Sequence, residues 1–394
     1  MSELLQRAAA EIQNRQLLSR GQKILVAVSG GVDSMVLLHT LHSLAQKNLW
    51  PLSVAHFNHQ LRGRASDADE KLVRQTAARL RLKFFGGGAD VKQFAAQSKI
   101  SVEMAARKLR HEFLAKVARE QEISTIALAH HADDQVELFF LRLLRGAGGE
   151  GLAGMKWRSP SPADKKISLV RPLLGCAKAS LLAFAGENKI RFRDDASNFS
   201  TDFLRNKIRN ELLPLLRSSY QPAVDKTVLR VMEIVGAEAE FVGAMAQNFC
   251  SSRGHEAQLK TKSEPPHVVG YNFEALPLAV QRRALQSRLA EAGVAADFEL
   301  IEQLRAASGK FISVGSGVAV ARDEAGAVQL RRAVTDEFNS AELKLKFKGR
   351  AGQAEFFSKR RKNFSAAESA IEISCRQTPT ALPCPAGLIF VLPD

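Results

Sequence analysis

The sequence predicts an α/β protein: a doubly wound parallel sheet with helices on both faces, a mostly helical middle part and a small C-terminal α+β domain. Two observations carry the first part. Between about residues 20 and 215, short apolar runs alternate with stretches of helical periodicity, as in successive βαβ units. The apolar run Lys23–Val28 also passes straight into the turn Ser29-Gly30-Gly31-Val32-Asp33-Ser34, after which Val36, Leu37, Leu41 and Leu44 form a helical apolar face. A third observation sets the rest apart. Beyond residue 217 the pattern becomes helical, with Val228, Val231, Ile234, Phe241 and Met245 suggesting one long amphipathic helix.

Taken in order, residues 1–20 read as an amphipathic helix interrupted by charges. Strands are predicted at Lys23–Val28, Leu52–Phe57, around Phe84–Phe85 and at Thr125–Ala129, with helices after Ser34, at Asp67–Leu82, near Val102–Glu120 and at Asp133–Arg145. Ser66 and Asp69 have capping-box spacing at the start of the second of these helices. Further helices are predicted at Leu276–Ala292 and Phe298–Ala307, then a hairpin of Phe311–Ala321 and Val328–Arg332 turning through Asp323-Glu324-Ala325-Gly326. Ser251–Val269, with Pro265-Pro266, reads as a connecting loop. The expected domains are 1–217, 218–333 and 334–394.

Composition narrows the function classes. A chain of 394 residues with 45% hydrophobic content can bury two or three cores. A net charge of +15 points to a polyanionic partner, with a merely basic surface as the alternative. The C-terminal segments LKLKFKGR (343–350) and SKRRKNF (358–364) mix basic and apolar residues in a way that suits phosphate contacts, or equally a solvated basic edge. No stretch has the look of a membrane span or a secretory signal, so a cytoplasmic location is expected. Cys176, Cys250, Cys375 and Cys384 form no C-x-x-C pair, which counts against zinc, iron–sulfur and persulfide chemistry.

The turn Ser29–Ser34 is a candidate anion site, because N–H groups at a helix start lack intrahelical partners and glycines allow close backbone approach to phosphate. It has no lysine of its own, unlike a Walker A loop. In an open α/β sheet the site lies beyond the carboxyl ends of the strands, where this loop meets those following Phe57 and Ala129. Asp134 and Glu137, three apart, share a helix face and suit Mg²⁺ or a substrate ammonium; acids favoured by the helix dipole are the plain alternative.

The loop resembles the SGGxDS loop of N-type ATP pyrophosphatases, which implies an adenine nucleotide α-hydrolase-like fold that releases pyrophosphate and yields AMP. HFNHQLRGRASDADE (56–70), EMAARKLRHEFL (103–114), HHADDQVELFFLRLLRGAGGEGLAGM (130–155), RPLL (171–174) and DDASNFSTDFLRNKIRNELLPLL (194–216) follow one another as in the tRNA(Ile)-lysidine synthetase family. That resemblance implies an ATP-dependent ligase forming a carbon–nitrogen bond between L-lysine and the wobble cytidine of a CAU-anticodon isoleucine tRNA, through an adenylated cytidine. It assigns ATP to Ser29, Gly30, Gly31, Val32, Asp33 and Ser34, and catalytic or lysine contacts to Asp33, His131, Asp134 and Glu137. Asp33 and Asp134 are the implied Mg²⁺ ligands. Glu103, Arg107 and Arg110 on one helix, and Arg205, Asn206 and Arg209 on another, are the implied tRNA or nucleotide contacts; solvated charged faces are the local alternative. His111 and Leu138 stand where the family pattern leads one to expect tyrosine and threonine. The middle part resembles that family's substrate-binding domain, residues 334–394 are expected to touch tRNA, and a homodimer is compatible with the sequence. Another tRNA-modifying enzyme of the superfamily, such as a thiolase, and a non-catalytic tRNA-binding relic remain the alternatives.

Overall fold

The computed structural model describes residues 2–61, 63–193, 204–258, 273–315 and 317–332, with side chains left out over 250–258. The chain divides into two compact units, Met1–Val268 and Val269–Asp394. In the first, α1 (Glu3–Asn14) leads to β1 (Ile24–Ala27), α2 (Val32–Asn48), β2 (Leu52–Asn58), α3 (Arg64–Arg79) and β3 (Lys83–Gly88). There follow α4 (Val91–Ser98), α5 (Val102–Glu120), β4 (Thr125–Ala127), α6 (Ala132–Leu143) and α7 (Gly149–Leu152). Then come β5 (Arg158–Pro160), β6 (Ser168–Val170), α8 (Lys178–Glu187), α9 (Leu204–Lys207), a π-helical turn (Ile208–Leu212), α10 (Leu213–Ser219) and α11 (Val224–Gln258).

The sheet has the order β3-β2-β1-β4-β6-β5, parallel except for β5 against β6. Apolar residues on both sides of β1 explain the doubly wound form. Ile24, Val26 and Val28 belong to the core shared with α1, α2 and α8, whereas Leu25 joins Leu114, Ala118, Ile126 and Leu169 on the α5 side. Strand order reverses between β1 and β4, so the loops after these two strands open the crevice in which an open α/β sheet places its ligand.

The strands and helices expected before residue 150 are present within a few residues; α4, α8 and the β5–β6 pair were not anticipated. The Ser66–Asp69 capping box does not form. Helix α3 starts earlier, at Arg64 with Gly63 as its cap, which puts both residues inside the helix. The long helix is present, but of the expected stripe only Val228 is well buried: Val231, Ile234, Phe241 and Met245 are exposed, while Met232, Ala246 and Phe249 face inward. Through Val228 and Met232 it packs with Val136 of α6 and with Ile208 and Leu213, so it groups with the first unit and not across a boundary at residue 217. Residues 251–258, read as loop, continue α11; the rest of that segment, the loop 195–198, Arg62 and residues 334–394 lie outside the described residues.

The second unit holds α12 (Leu278–Glu291), α13 (Phe298–Ala306) and a three-stranded antiparallel sheet of β7 (Ile312–Ser313), β8 (Val318–Arg322) and β9 (Val328–Arg332). The expected first hairpin strand is broken by Gly315, at φ +91°, which folds β7 back onto β8. Arg322, 1% exposed, ties this unit together: its Nε donates to the Leu304 carbonyl at 2.7 Å, and one terminal nitrogen donates to the Arg305 carbonyl at 2.9 Å and to Glu274 at 2.7 Å. Arg322→Leu would leave two carbonyls without these donors, at a cost of about 2–4 kcal/mol. Hydrogen exchange is expected to quicken across 273–332 while the first unit keeps its protection, and unchanged exchange in 273–332 would refute the assignment.

Candidate active site

The turn after β1 is knitted from within. Ser34 Oγ accepts from the Ser29 and Gly30 N–H groups at 3.1 and 3.2 Å and donates to the Gly31 carbonyl at 2.9 Å. Its hydroxyl, expected among the ligand contacts, is thus buried inside the turn and holds its shape. Gly30 has φ +100°, and a Cβ there would stand 3.3 Å from the Cβ of Asp69. Asp69 in turn accepts from Arg193 Nε at 2.6 Å, and the Arg193 N–H donates to the Gly30 carbonyl at 3.0 Å. Gly31 caps α2 without a side chain, so the start of that helix presents backbone N–H groups and the positive end of its dipole.

Three acids and two cations meet beside this turn. Asp33, in the first turn of α2, accepts from Lys178 Nζ at 2.6 Å, and its other oxygen lies 3.6 Å from His131 Nε2. Asp134 Oδ2 is also 3.6 Å from His131 Nε2 and accepts from the His131 backbone N–H at 3.1 Å, fixing the start of α6. At 3.6 Å these imidazole contacts are charge interactions, too long for hydrogen bonds. Burial opposes ionisation of Asp33, but His131 and Lys178 outweigh it and hold the carboxyl below its ordinary value. Burial likewise opposes charging of His131, yet Asp33, Asp134 and Asp133 raise it above its ordinary value.

Glu137, 3% exposed, sits at the base of the group. It accepts from Arg205 Nε at 2.8 Å and from Arg209 through Nε at 2.5 Å and a terminal nitrogen at 2.9 Å. Arg205 also donates to Asp134 at 2.6 Å. The face of Arg205 and Arg209 is therefore turned onto the acids of α6; Asn206 lies between them on α9. The π-helical turn that begins at Ile208 contains Arg209, and such turns are frequent at functional sites. With its oxygens bonded to two guanidiniums, Glu137 anchors both arginines. Among the described residues, no three His, Cys, Asp or Glu side chains are grouped to hold a metal ion.

Residues 1–216 match the PP-loop domain family. The tRNA(Ile)-lysidine synthase of Geobacter sulfurreducens is 40% identical over 227 residues, covering 58% of this chain and 47% of that protein. Its counterpart in Chlorobaculum tepidum is 36% identical over 231 residues, covering 59% of this chain and 68% of that one. The chain belongs to the PP-loop family and, within it, to the tRNA(Ile)-lysidine synthases. It spans about half the length of several curated relatives it matches. Among solved structures, the U34-tRNA thiolase NcsA from Methanococcus maripaludis aligns over 60% of this chain and 79% of that one, with a TM-score of 0.49 and 15% identity.

Around His130 and His111 the charged neighbours are arginines. His130 is pushed down to about 3 by burial and by Arg171, Arg110, Arg205 and Arg107. His111 is pushed down to about 4 by burial and by Arg110, Arg107 and Arg171. Arg110 points inward, and its Nε is buried without a hydrogen-bond partner; Arg107 and Glu103 are exposed on α5. The charges of Arg107 and Arg110 thus reach His130. Cys176 is buried and its thiol is pushed up to about 11, which makes it inert as a sulfur carrier.

Sequence reasoning missed Lys178 and Arg171. A usable signal existed for Lys178: a lysine at the first position of a helix opposes the dipole and calls for an anion nearby. For the two histidines, opposite titration is expected. His131 gives stability fully present below its unfolded value near ~6.5 and lost as pH rises through its higher folded value. His130 stays neutral over the whole range from about pH 5 to 9, since its folded value is about 3. NMR titration of labelled imidazoles reads both directly, and a His131 midpoint below the ordinary imidazole value would break the charge assignment.

Proposed function

We propose that the protein joins L-lysine to the wobble cytidine of the CAU-anticodon isoleucine tRNA, with ATP converted to AMP and pyrophosphate. The observation that carries the reading is the uncapped PP-loop at the start of α2, set directly against Asp33, His131 and Asp134 in a chain related to tRNA(Ile)-lysidine synthases. In the first step the cytidine C2 oxygen attacks the α-phosphate and pyrophosphate leaves. In the second, the lysine ε-amine attacks C2, loses a proton and displaces AMP.

The backbone N–H groups of the PP-loop stabilise the charge that collects on the departing pyrophosphate. His131, whose affinity for a proton Asp33 and Asp134 raise, lies at the same place. Arg205, still 42% exposed, has surface left to meet a phosphate, while Arg209 is given over to Glu137. Asp33 and Asp134 fit Mg²⁺, because that ion takes one or two carboxylates and completes its shell with phosphates and water. Bound there, Mg²⁺ would neutralise charge on the pyrophosphate. Arg107, Arg110 and Arg171 make a cationic surround suited to the anionic backbone of tRNA, in keeping with the net charge of +15. The location proposed is the cytoplasm, where the tRNA substrate is; among the described residues no helix is long and apolar enough to cross a membrane. Contact of residues 334–394 with tRNA and a homodimeric state complete the proposal.

Incubation with isoleucine and methionine tRNA transcripts of the same anticodon, ATP, Mg²⁺ and labelled lysine is expected to label the isoleucine tRNA alone. Asp33→Ala should abolish AMP formation yet retain most tRNA binding. Equal labelling of both tRNAs would reject the specificity, and none in either would reject the ligase reading.

A further inference from the structure

A Walker A loop carries its own lysine for the outer phosphates; this PP-loop has none. The fold brings one from elsewhere. Lys178 is the first residue of α8, and its Nζ lies 2.6 Å from Asp33 Oδ1, across 145 residues of sequence. Two backbone contacts fix that position. The Lys178 N–H donates to Asp133 Oδ2 at 2.8 Å, and the Ala132 N–H donates to the Cys176 carbonyl at 2.9 Å, so the starts of α6 and α8 are bound to each other. The start of α2 adjoins them through Asp33. Three helix N-termini of ten or more residues therefore meet at one place, each with its positive dipole end toward it.

A lysine added to such a place is repelled unless an anion is there. Asp33, Asp133 and Asp134 are all there, but each also faces His131, and of the three it is Asp33 that accepts from the Lys178 ammonium. Lys178 remains about one-third exposed, on a flexible stem, and its partner Asp33 belongs to the same first turn of α2 whose N–H groups face the anion site. We propose that Lys178 binds the outer phosphates of ATP and then the free pyrophosphate, doing from the start of α8 what a Walker lysine does from within its loop. The proposal rests on the nucleotide reading of the PP-loop given above.

Calorimetry on the full chain in EDTA, with inorganic pyrophosphate, ATP and AMP as probes, separates the possibilities. Lys178→Met, which keeps the packing stem, is expected to weaken pyrophosphate and ATP binding by about tenfold to a hundredfold and to leave AMP unchanged. Lys178→Arg should restore most of the loss. Unchanged AMP affinity also reports that the pocket is folded in each variant. If Lys178 served only to neutralise Asp33, the double variant Asp33→Asn/Lys178→Met would regain wild-type pyrophosphate affinity, and that result overturns the proposal. So does wild-type affinity in Lys178→Met alone. Failure of the unaltered protein to bind ATP or pyrophosphate would instead overturn the nucleotide reading beneath it.

Discussion

The carboxylate of Glu137 is the interaction on which the site depends. It is nearly inaccessible to solvent, and the two guanidiniums that meet it come from the segment 204–219, more than sixty residues downstream. Burying the Glu137 charge is expensive, and only near-complete hydrogen bonding offsets that desolvation. Arg205 and Arg209 supply it, while Ile208 and Leu213 add apolar contact with Val136 beside them. From this anchor an alternation of charge runs to the PP-loop: Arg205 holds Asp134, Asp134 fixes the start of α6, His131 stands between Asp134 and Asp33, and Lys178 closes the series. Each member is stabilised by neighbours of opposite sign, so the loss of one leaves another uncompensated.

Topology explains why these residues can meet at all. β1 and β4 are adjacent and parallel, but β1 is followed outward by β2 and β3, and β4 by β6 on the other side. The loops after β1 and β4 therefore diverge to opposite faces, and the crevice between them receives Asp33 from one and His131 from the other. Gly30 allows α3 to approach the PP-loop from below, since any side chain there would press on Asp69.

Much of this was legible in the sequence, for identifiable reasons. The strand–turn–helix around Ser29–Ser34 was clear because a buried parallel strand is continuously apolar and its turn is marked by glycine. Asp33, His131 and Asp134 were legible as neighbours because two of them are close in sequence and the third lies at the switch point. What failed was local inference about pairs settled by distant partners. Ser66 and Asp69 have the spacing of a cap, but Asp69 is held by Arg193, and a cap has no claim once α3 begins two residues earlier than Ser66. The apolar stripe of α11 was legible as a helix but not in its facing, because α11 carries apolar residues on more than one side and only packing against α6 chooses between them. Short strands such as β5 and β6, three residues each, are below the length at which periodicity speaks.

The adjacent histidines divide the site into two electrostatic halves. His131 faces three aspartates that raise its affinity for a proton; His130, one residue away, is surrounded by the charges of arginines that lower its own. Consecutive residues entering a helix point in different directions, so a one-residue step in sequence becomes a boundary between an acidic and a basic compartment. On the proposed reading, the boundary sorts the reactants by charge: the basic half favours the phosphates of tRNA, and the acidic half favours the cations that accompany ATP and the ammonium form of lysine. On the same reading, an electron-poor cytidine carbon must meet an amine that has lost its proton. A place where a lysine ammonium leaves aspartates for a field set by arginines is one where its deprotonation becomes easier, since neighbouring positive charge lowers the affinity of an amine for its proton.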